Sequence, residues 1–228
     1  MIQIFDLDDP LYKEMTHVLS GFRAVVRYGQ EFFGWDLDEP VAFMQAHLAT
    51  CGRGAAIDAR LRAHARFSPA RVKTCLHVYR GHSPKRTLFP AALQVLMRYH
   101  VQAPLNLVTD GHKVVQNRKT RGLNLEPFLA LALNTHRLGA RHAKPSLHCF
   151  VVIRRAERCD RSQMVYVGDN PAKDFVSFNQ VGALTVRVRT RAHAAVVAQP
   201  GCDARITIPD LASLPAVLER GEGRRASQ

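Results

Sequence analysis

From residue 89 onward, short apolar runs alternate with segments of helical periodicity, and this alternation limits the fold more than any other feature. We predict strands at residues 2–7, 105–109, 164–167, 183–188 and 205–208. We predict helices at residues 90–99, 113–121, 145–158, 171–181 and 210–219. Strands that alternate with helices form a parallel sheet covered by helices on both faces. The sequence therefore predicts an α/β fold with a three-layer α/β/α architecture.

Residues 12–88 have a different sequence pattern, in which segments of helical periodicity are separated by turn signals and no convincing strand occurs. Ser68 and Pro69 are typical of a helix start, because serine caps the first turn and proline suits the first helical position. We predict a discontinuous core domain of residues 1–11 and 89–228, interrupted by an all-helical domain of residues 12–88.

Composition narrows the class of protein. The chain has 228 residues, of which 46% are hydrophobic, so it can bury a stable core without disulfides or structural metal ions. The five cysteines are scattered and form no C-x-x-C pair, which argues against a disulfide framework and a structural zinc site. No run reaches the roughly 20 apolar residues of a membrane-spanning helix. The acidic N-terminal segment does not resemble a signal peptide. We expect a cytoplasmic protein that is not attached to a membrane.

The net charge of +13 has two interpretations. One is an enzyme with an arginine-rich surface, whose positive field also attracts anionic substrates. The other is a partner of nucleic acid or another polyanion. Because the excess of basic residues is spread along the chain and not gathered in one run, we favour the first interpretation.

Polar residues follow three of the predicted strands, and a lysine precedes the helix that leads to the third. They are Asp6 and Asp8, Thr109 and Asp110, Gly168 and Asp169, and the lysine Lys144. Ligands of open parallel sheets bind at the carboxyl ends of the strands, so these side chains are expected to meet in one crevice. Carboxylates, a hydroxyl and a cation suit phosphoryl transfer, and Mg²⁺ prefers oxygen ligands.

Four segments in order resemble the motifs of the haloacid dehalogenase-like (HAD) hydrolase superfamily. FDLDDPLY at 5–12 resembles the first motif, and LVTDG at 107–111 resembles the second. Lys144-Pro145 resembles the third, and VGDNPAKD at 167–174 resembles the fourth. The resemblance implies a Rossmann-like core, a helical cap of the first cap class at 12–88 and a Mg²⁺ cofactor.

The resemblance also implies the roles of three aspartates. Asp6 attacks phosphorus and becomes an aspartyl-phosphate. Asp8 protonates the leaving oxygen and then activates water. The metal is held by the Asp6 side chain, the Asp8 backbone carbonyl and Asp169.

The remaining implied roles concern the phosphate group. Thr109, Asp110 and Gly111 form the segment that binds the phosphoryl oxygens, through a hydroxyl and backbone N–H groups. Lys144 neutralises charge on the phosphate and the nucleophile. Asp174 supports Lys144 or the metal-bound waters.

Several alternatives stay open at this point. An acid at position 8 argues against a dehalogenase, but a phosphomutase would carry the same residues. Pro10 replaces the Thr or Val that is usual in the family, and we hypothesise that it slows the enzyme by altering the loop that carries Asp8. The substrate is expected to be a small nucleotide or sugar phosphate. The competing class is a catalytically weakened relative that binds nucleic acid or an acidic partner.

Overall fold

The computed structural model describes residues 1–36, 38–52, 54–83, 86–190 and 192–223, with only the backbone for 221–223. The chain separates into two compact units. The sheet unit comprises residues 1–13 and 87–228, and the helical unit comprises residues 14–86. The proposed domain limits at 11/12 and 88/89, and the assignment of the helical unit as a cap, stay predictions.

The described residues of the sheet unit contain one parallel sheet. Its strands are β1 (Ile2–Phe5), β2 (Leu105–Thr109), β3 (Leu129–Asn134), β4 (Met164–Gly168), β5 (Leu184–Val188) and β6 (Ile206–Ile208). They lie in the order β3-β2-β1-β4-β5-β6, and every neighbouring pair is parallel. The predicted α/β class with a parallel sheet is confirmed.

Helices make up the rest of the regular structure. In the helical unit they are α1 (Glu14–Phe33), α2 (Glu39–Cys51), α3 (Ala56–Ala63) and α4 (Pro69–Gly81). In the sheet unit they are α5 (Pro90–Tyr99), α6 (Lys113–Gly122), α7 (Thr135–Leu138), α8 (His148–Ala156), α9 (Val176–Gln180) and α10 (Leu214–Gly223). Among the described residues, no helix is both long and apolar enough to span a membrane.

The central strands are buried on both faces, which is why they appear in the sequence as continuous apolar runs. Successive side chains of a strand point to opposite faces of the sheet. Phe5, Val165 and Val167 accordingly belong to one hydrophobic cluster, while Ile4 and Tyr166 belong to a second. These two apolar layers hold the helices against the sheet.

The strand order creates a crevice at the centre of the sheet. The chain runs from β1 outward through β2 to β3, and then returns to the other side of β1 with β4. Such a reversal leaves an opening outside the carboxyl ends of β1 and β4, since the connections on the two sides depart in opposite directions. The loop after β1 is tied to the start of α5, because the Phe89 amide donates to the Leu11 carbonyl at 2.9 Å.

The helical unit has its own core, formed by apolar residues of all four helices. Phe22, Val25, Trp35, Met44 and Leu61 are among its buried members. The predicted start of α4 is confirmed, since the Ser68 hydroxyl accepts from the Arg71 amide and Pro69 is the first helical residue. No strand occurs in the described residues of this unit, as expected.

The structure corrects several predicted boundaries. β1 ends at Phe5 and not at residue 7, and α8 begins at His148 and not at residue 145. The predicted helix at 171–181 shortens to α9, because the Asp174 carboxylate accepts from the amides of Asp169 and Asn170 and closes a turn there. Phe175 is the residue that precedes α9. The last helix, α10, follows a single 3₁₀ turn at 211–213.

Candidate active site

The crevice of the sheet unit receives a polar residue from each strand that borders it. Asp6 directly follows β1, Thr109 is the last residue of β2, and Asp169 directly follows β4. All three are nearly inaccessible to solvent. The predicted convergence of these strand ends in one crevice is what the parallel register produces.

Asp6 lies at the centre of this crevice. Its Oδ1 atom accepts from the Leu7 amide at 2.9 Å and pairs with the Lys144 ammonium at 2.8 Å. Both of these contacts use Oδ1, and the described part of the chain offers no hydrogen-bond donor to Oδ2. The second oxygen of Asp6 is therefore free to react.

Lys144 is shared between two carboxylates. Its Nζ atom lies 2.8 Å from Asp6 Oδ1 and 2.9 Å from Asp174 Oδ1, and it donates to the Tyr166 hydroxyl at 2.8 Å. Burial favours the neutral amine, but the charges of Asp174 and Asp6 outweigh it and hold the pKa of Lys144 well above its usual value. The side chain stays cationic although only 4% of it is exposed.

Asp174 uses both of its oxygens for positioning. Oδ1 pairs with Lys144, and Oδ2 accepts from the amides of Asp169 at 3.2 Å and Asn170 at 2.9 Å. Burial opposes ionisation of Asp174, but Lys144 and these donors lower its pKa below the usual value. The close approach requires glycine at 168, since a Cβ there would lie 2.7 Å from Asp174 Oδ2.

At Asp6 and Asp169 the neighbouring donors and cations do not offset the effect of burial on the pKa. Burial, the largest cause, raises the pKa of Asp6 to about 7, against the opposing effect of Lys144. Burial and the charge of Asp6 raise the pKa of Asp169 to about 8, although its Oδ2 accepts from the Thr190 hydroxyl at 2.7 Å. The crevice thus concentrates more negative charge than Lys144 and the more distant Lys173 neutralise.

Two overlapping sets of side chains could hold a cation. One set is Asp6, Asp169 and Asp174, and the other is Asp9, Asp169 and His193. The first set offers only carboxylate oxygens, the donors that Mg²⁺ prefers, and its excess negative charge suits a divalent ion. Because Asp174 is already engaged at both oxygens, Asp6 and Asp169 are the members best placed to ligate. The residues present fit the implied metal.

Asp8 belongs to a neighbouring cluster, and its carboxylate is in neither metal set. Oδ1 accepts from the Tyr12 hydroxyl at 2.6 Å and from Lys119 at 2.7 Å. Oδ2 accepts from Lys119 and from the Gln116 amide, each at 2.8 Å. Burial acts to raise the pKa of Asp8, but the charge of Lys119 and these hydrogen bonds lower it below the usual value.

The second predicted motif lines the same crevice through Thr109 and Gly111. The Thr109 hydroxyl oxygen accepts from Gln116 at 2.7 Å, which leaves its own hydrogen for another acceptor. Gly111 has a φ of 128°, a conformation that favours glycine. The Asp110 carboxylate accepts from the Thr135 hydroxyl at 2.6 Å and from the Lys144 amide at 3.2 Å. Asp110 thus ties β2 to the loop that carries Lys144.

The sequence predicted most of the charged residues of the crevice but not several of the residues that form hydrogen bonds with them. The structure brings Asp6, Lys144, Asp169 and Asp174 together, and it places the Asp8 carboxylate beside them in a separate cluster. The missed residues are Tyr12, Gln116, Lys119, Tyr166 and Thr190. One signal for two of them was present, since Gln116 and Lys119 are three residues apart on the helix that follows the second motif and so share one face.

Comparison with known proteins relates this geometry to solved structures. No protein-family model matches the chain. Over 193 residues it is 26% identical to glyceraldehyde 3-phosphate phosphatase of Methanocaldococcus jannaschii, covering 81% of this chain and 83% of that protein.

Two solved structures illustrate the shared fold. The 2-haloacid dehalogenase of Pseudomonas syringae pv. Tomato is 22% identical with a TM-score of 0.65, covering 96% of this chain and 99% of the other. The HAD-type hydrolase YfnB of Bacillus subtilis, solved bound to magnesium, is 16% identical with a TM-score of 0.67, covering 95% and 97%. At these identities the two structures show a common fold, and the reaction has to be argued from the side chains.

Proposed function

We propose that this chain is a member of the haloacid dehalogenase-like hydrolase superfamily, on its fold and its four ordered motifs, and that it is a magnesium-dependent phosphatase. The observation that carries the proposal is the position of Lys144, whose ammonium lies within 3 Å of both Asp6 and Asp174 in a buried crevice. A phosphate monoester is dianionic, so an attacking carboxylate needs fixed positive charge beside it.

Asp6 is the nucleophile in this proposal. Its Oδ2 atom attacks phosphorus while Oδ1 is held by Lys144 and the Leu7 amide, and the ester oxygen leaves. The product is an aspartyl-phosphate on Asp6, which divides the hydrolysis into two displacement steps.

Asp8 is the acid and the base. It protonates the ester oxygen as the first step breaks the phosphorus–oxygen bond, and it takes a proton from the water that cleaves the aspartyl-phosphate. A halide leaving group needs no proton, so a carboxyl held in this position supports phosphate-ester chemistry over dehalogenation.

The phosphoryl oxygens are bound by the segment after β2 and by Lys144. The Thr109 hydroxyl donates its free hydrogen, and the Gly111 amide donates from a backbone that only glycine adopts readily. Asp110 contributes by anchoring this segment to the Lys144 loop. Lys144 neutralises the charge that builds up on the transferred group.

Mg²⁺ would be held by Asp6, by Asp169 and, as the family resemblance implies, by the Asp8 backbone carbonyl. When bound, Mg²⁺ supplies positive charge that neutralises the phosphoryl oxygens and keeps Asp6 ionised. Asp174 holds Lys144 and the turn that carries Asp169 in place.

The proposed substrate class is supported by the similarity to the phosphatase of Methanocaldococcus jannaschii. That protein is named for glyceraldehyde 3-phosphate, so we place small sugar phosphates ahead of nucleotide monophosphates. The shared residues do not separate hydrolysis from phosphoryl transfer to a second sugar, and release of inorganic phosphate distinguishes the two.

The experiment measures phosphate release from p-nitrophenyl phosphate and a panel of sugar and nucleotide phosphates, with Mg²⁺ or with EDTA. We expect turnover that requires Mg²⁺ and that falls by about 10⁴-fold in Asp6→Asn, because the nucleophile is lost while the shape of the site is kept. Asp210→Asn, at an exposed position of the same unit, is the matched control.

Two outcomes would contradict the proposal. Turnover that is equal in Asp6→Asn would rule out the aspartyl-phosphate. Absence of turnover on every ester, in a protein that binds nucleic acid with a steep loss of affinity as salt rises, would favour the binding-protein alternative.

A further inference from the structure

Lys119 is a second buried lysine of the sheet unit, and none of the chemistry described so far uses it. It lies on α6, and only 3% of its side chain is exposed. Its ammonium contacts both oxygens of Asp8, at 2.7 and 2.8 Å. Burying a lysine costs free energy unless it is paired, so this position needs a specific reason.

Three neighbouring side chains contact the Asp8 carboxylate and together reach both of its oxygens. A carboxylate has about four acceptor positions, two on each oxygen. Lys119 takes one on each oxygen, Tyr12 takes a second on Oδ1 and Gln116 takes a second on Oδ2. The side chain is therefore held in one orientation by donors on both of its oxygens.

The three donors do not contribute equally. Gln116 Nε2 also lies 2.7 Å from Thr109 Oγ1 and 2.6 Å from the Asp110 carbonyl, so its two hydrogens are divided among three acceptors. Tyr12 comes from the same loop as Asp8, four residues away. Lys119 alone brings a full charge, reaches both oxygens and comes from a helix.

The position of α6 links this contact to the phosphate-binding segment. The helix begins two residues after Gly111, and Gln116 and Lys119 lie three residues apart on the face that meets Asp8. One rigid element thus sets the distance between the residues that hold the phosphoryl group and the residue that moves the proton.

We propose that Lys119 is a positioning residue that aims the Asp8 carboxyl at the ester oxygen. The inference rests on the proposed function. In the step concerned, Asp8 carries a proton on Oδ2, in the position that Gln116 fills only in part because its two hydrogens face three acceptors. The Asp6–phosphorus bond forms, the bond from phosphorus to the ester oxygen breaks, and this proton moves to that oxygen. Lys119 itself exchanges no proton and contacts neither the phosphoryl group nor the ester oxygen.

The test compares two leaving groups. An alkoxide such as that of glycerol phosphate needs the proton, whereas p-nitrophenolate leaves without one. Because kcat/KM reports the steps up to departure of the leaving group, it isolates the first transfer. We expect Lys119→Met to lower kcat/KM by about 10²-fold for glycerol phosphate and by less than about threefold for p-nitrophenyl phosphate.

A double-mutant cycle with Asp8→Asn checks that Lys119 acts through Asp8. In the Asp8→Asn background, adding Lys119→Met should change kcat/KM for either ester by less than about twofold. The double variant also removes both charges together, so it avoids the uncompensated Asp8 charge that Lys119→Met alone leaves buried. Lys119→Gln, which keeps a donor without the charge, is expected to lose less than Lys119→Met.

Lys113→Met is the matched control, since Lys113 is exposed on the same helix. An equal loss on both esters, or full additivity with Asp8→Asn, would overturn the role of Lys119. If the parent itself releases no phosphate and Asp6→Asn behaves like the parent, the proposed function and the role of Lys119 are both rejected. A parent that depends on Asp6 while Lys119→Met behaves like Lys113→Met rejects the role of Lys119 alone.

Discussion

The sheet unit contains two lysine–aspartate centres in which the pKa of the aspartate is shifted in opposite directions. At the first centre Lys144 pairs with Asp6, whose pKa is raised to about 7. At the second centre Lys119 pairs with Asp8, whose pKa is lowered. Both lysines are buried, and both contacts are shorter than 3 Å.

The difference comes from the groups that surround each aspartate. Lys144 is divided between Asp6 and Asp174, with Asp169 close by, so burial prevails at Asp6. Lys119 contacts both oxygens of Asp8, and Tyr12 and Gln116 add neutral donors to the same carboxylate. A buried ion pair therefore does not determine the charge of a carboxylate until all its neighbours are included. The first centre lacks positive charge, which a metal ion can supply, and the second centre does not.

The largest expected effect comes from breaking the first centre. Lys144→Met should lower kcat/KM by about 10³-fold, because it removes the cation that neutralises the phosphoryl group in the transition state. Unlike Lys119→Met, it should affect p-nitrophenyl phosphate and glycerol phosphate equally, since the transferred group is the same in both. Steady-state assays on both esters, beside the exposed-site variant Lys113→Met, measure this contrast.

A loss in Lys144→Met that depends on the leaving group would show that the two lysines do not divide the chemistry as proposed. Circular dichroism and thermal unfolding of the variant separate that result from loss of the fold.

An intermediate effect concerns the pH dependence of stability. The pKa of Asp169 rises from 3.8 in the unfolded chain to about 8 in the folded protein. The folded state therefore binds more protons between these values, and the metal-free protein should lose stability as pH rises from about 4 to about 8. Asp169→Asn should remove this part of the slope and stabilise the metal-free protein by about 2 kcal/mol at pH 9, and by less at pH 6.

Urea unfolding in EDTA at pH 6 and pH 9 measures this difference, with Asp210→Asn as the exposed control. In Mg²⁺ the order should reverse, because the parent gains stability from binding and the variant loses a ligand. A variant that Mg²⁺ stabilises as strongly as the parent would remove Asp169 from the metal site.

The smallest effect is expected at Pro10, in the loop that carries Asp8 to the second centre. A residue before proline usually adopts an extended backbone, but Asp9 has a φ of 72°, in the left-handed region that aspartate tolerates. The loop is closed by the Asp9 amide on the Tyr12 carbonyl and by the Leu11 amide on the Leu7 carbonyl. Neither bond needs an N–H at residue 10.

Pro10→Thr should therefore change turnover by less than about twofold, because the loop already holds its shape around the proline. Assays on glycerol phosphate compare the variant with the parent. A clear gain in rate would restore the hypothesis that Pro10 slows proton transfer by Asp8.

Sequence patterns predicted five of the six strands in the described part of the chain and missed β3, which lies at one edge of the sheet. β2 matches its predicted limits because it is buried on both faces, which leaves a continuous apolar run. β3 was missed because its sequence, LALALN, contains residues that favour helices, and pairing with β2 overrides that preference.

The same distinction applies to the site. Asp6, Asp169 and Lys144 were predicted because they follow strands or belong to motifs with fixed spacing. Lys119 was missed because α6 contains several basic residues, and only the fold shows which of them is buried against a carboxylate. Periodicity identifies a helix face, but the partner that covers the face is set by tertiary structure.

The hydrogen bond from the Phe89 amide to the Leu11 carbonyl has a consequence for how this chain can diversify. It holds the two ends of the sheet unit's interruption side by side, so the 14–86 segment leaves and returns at one spot. For the sheet unit, this segment acts as a long loop whose two ends are fixed. The conformational entropy lost on closing such a loop depends only weakly on its length. Insertions, deletions or exchange of the segment can therefore accumulate without shifting strand register. The chemistry can stay fixed while the inserted segment varies.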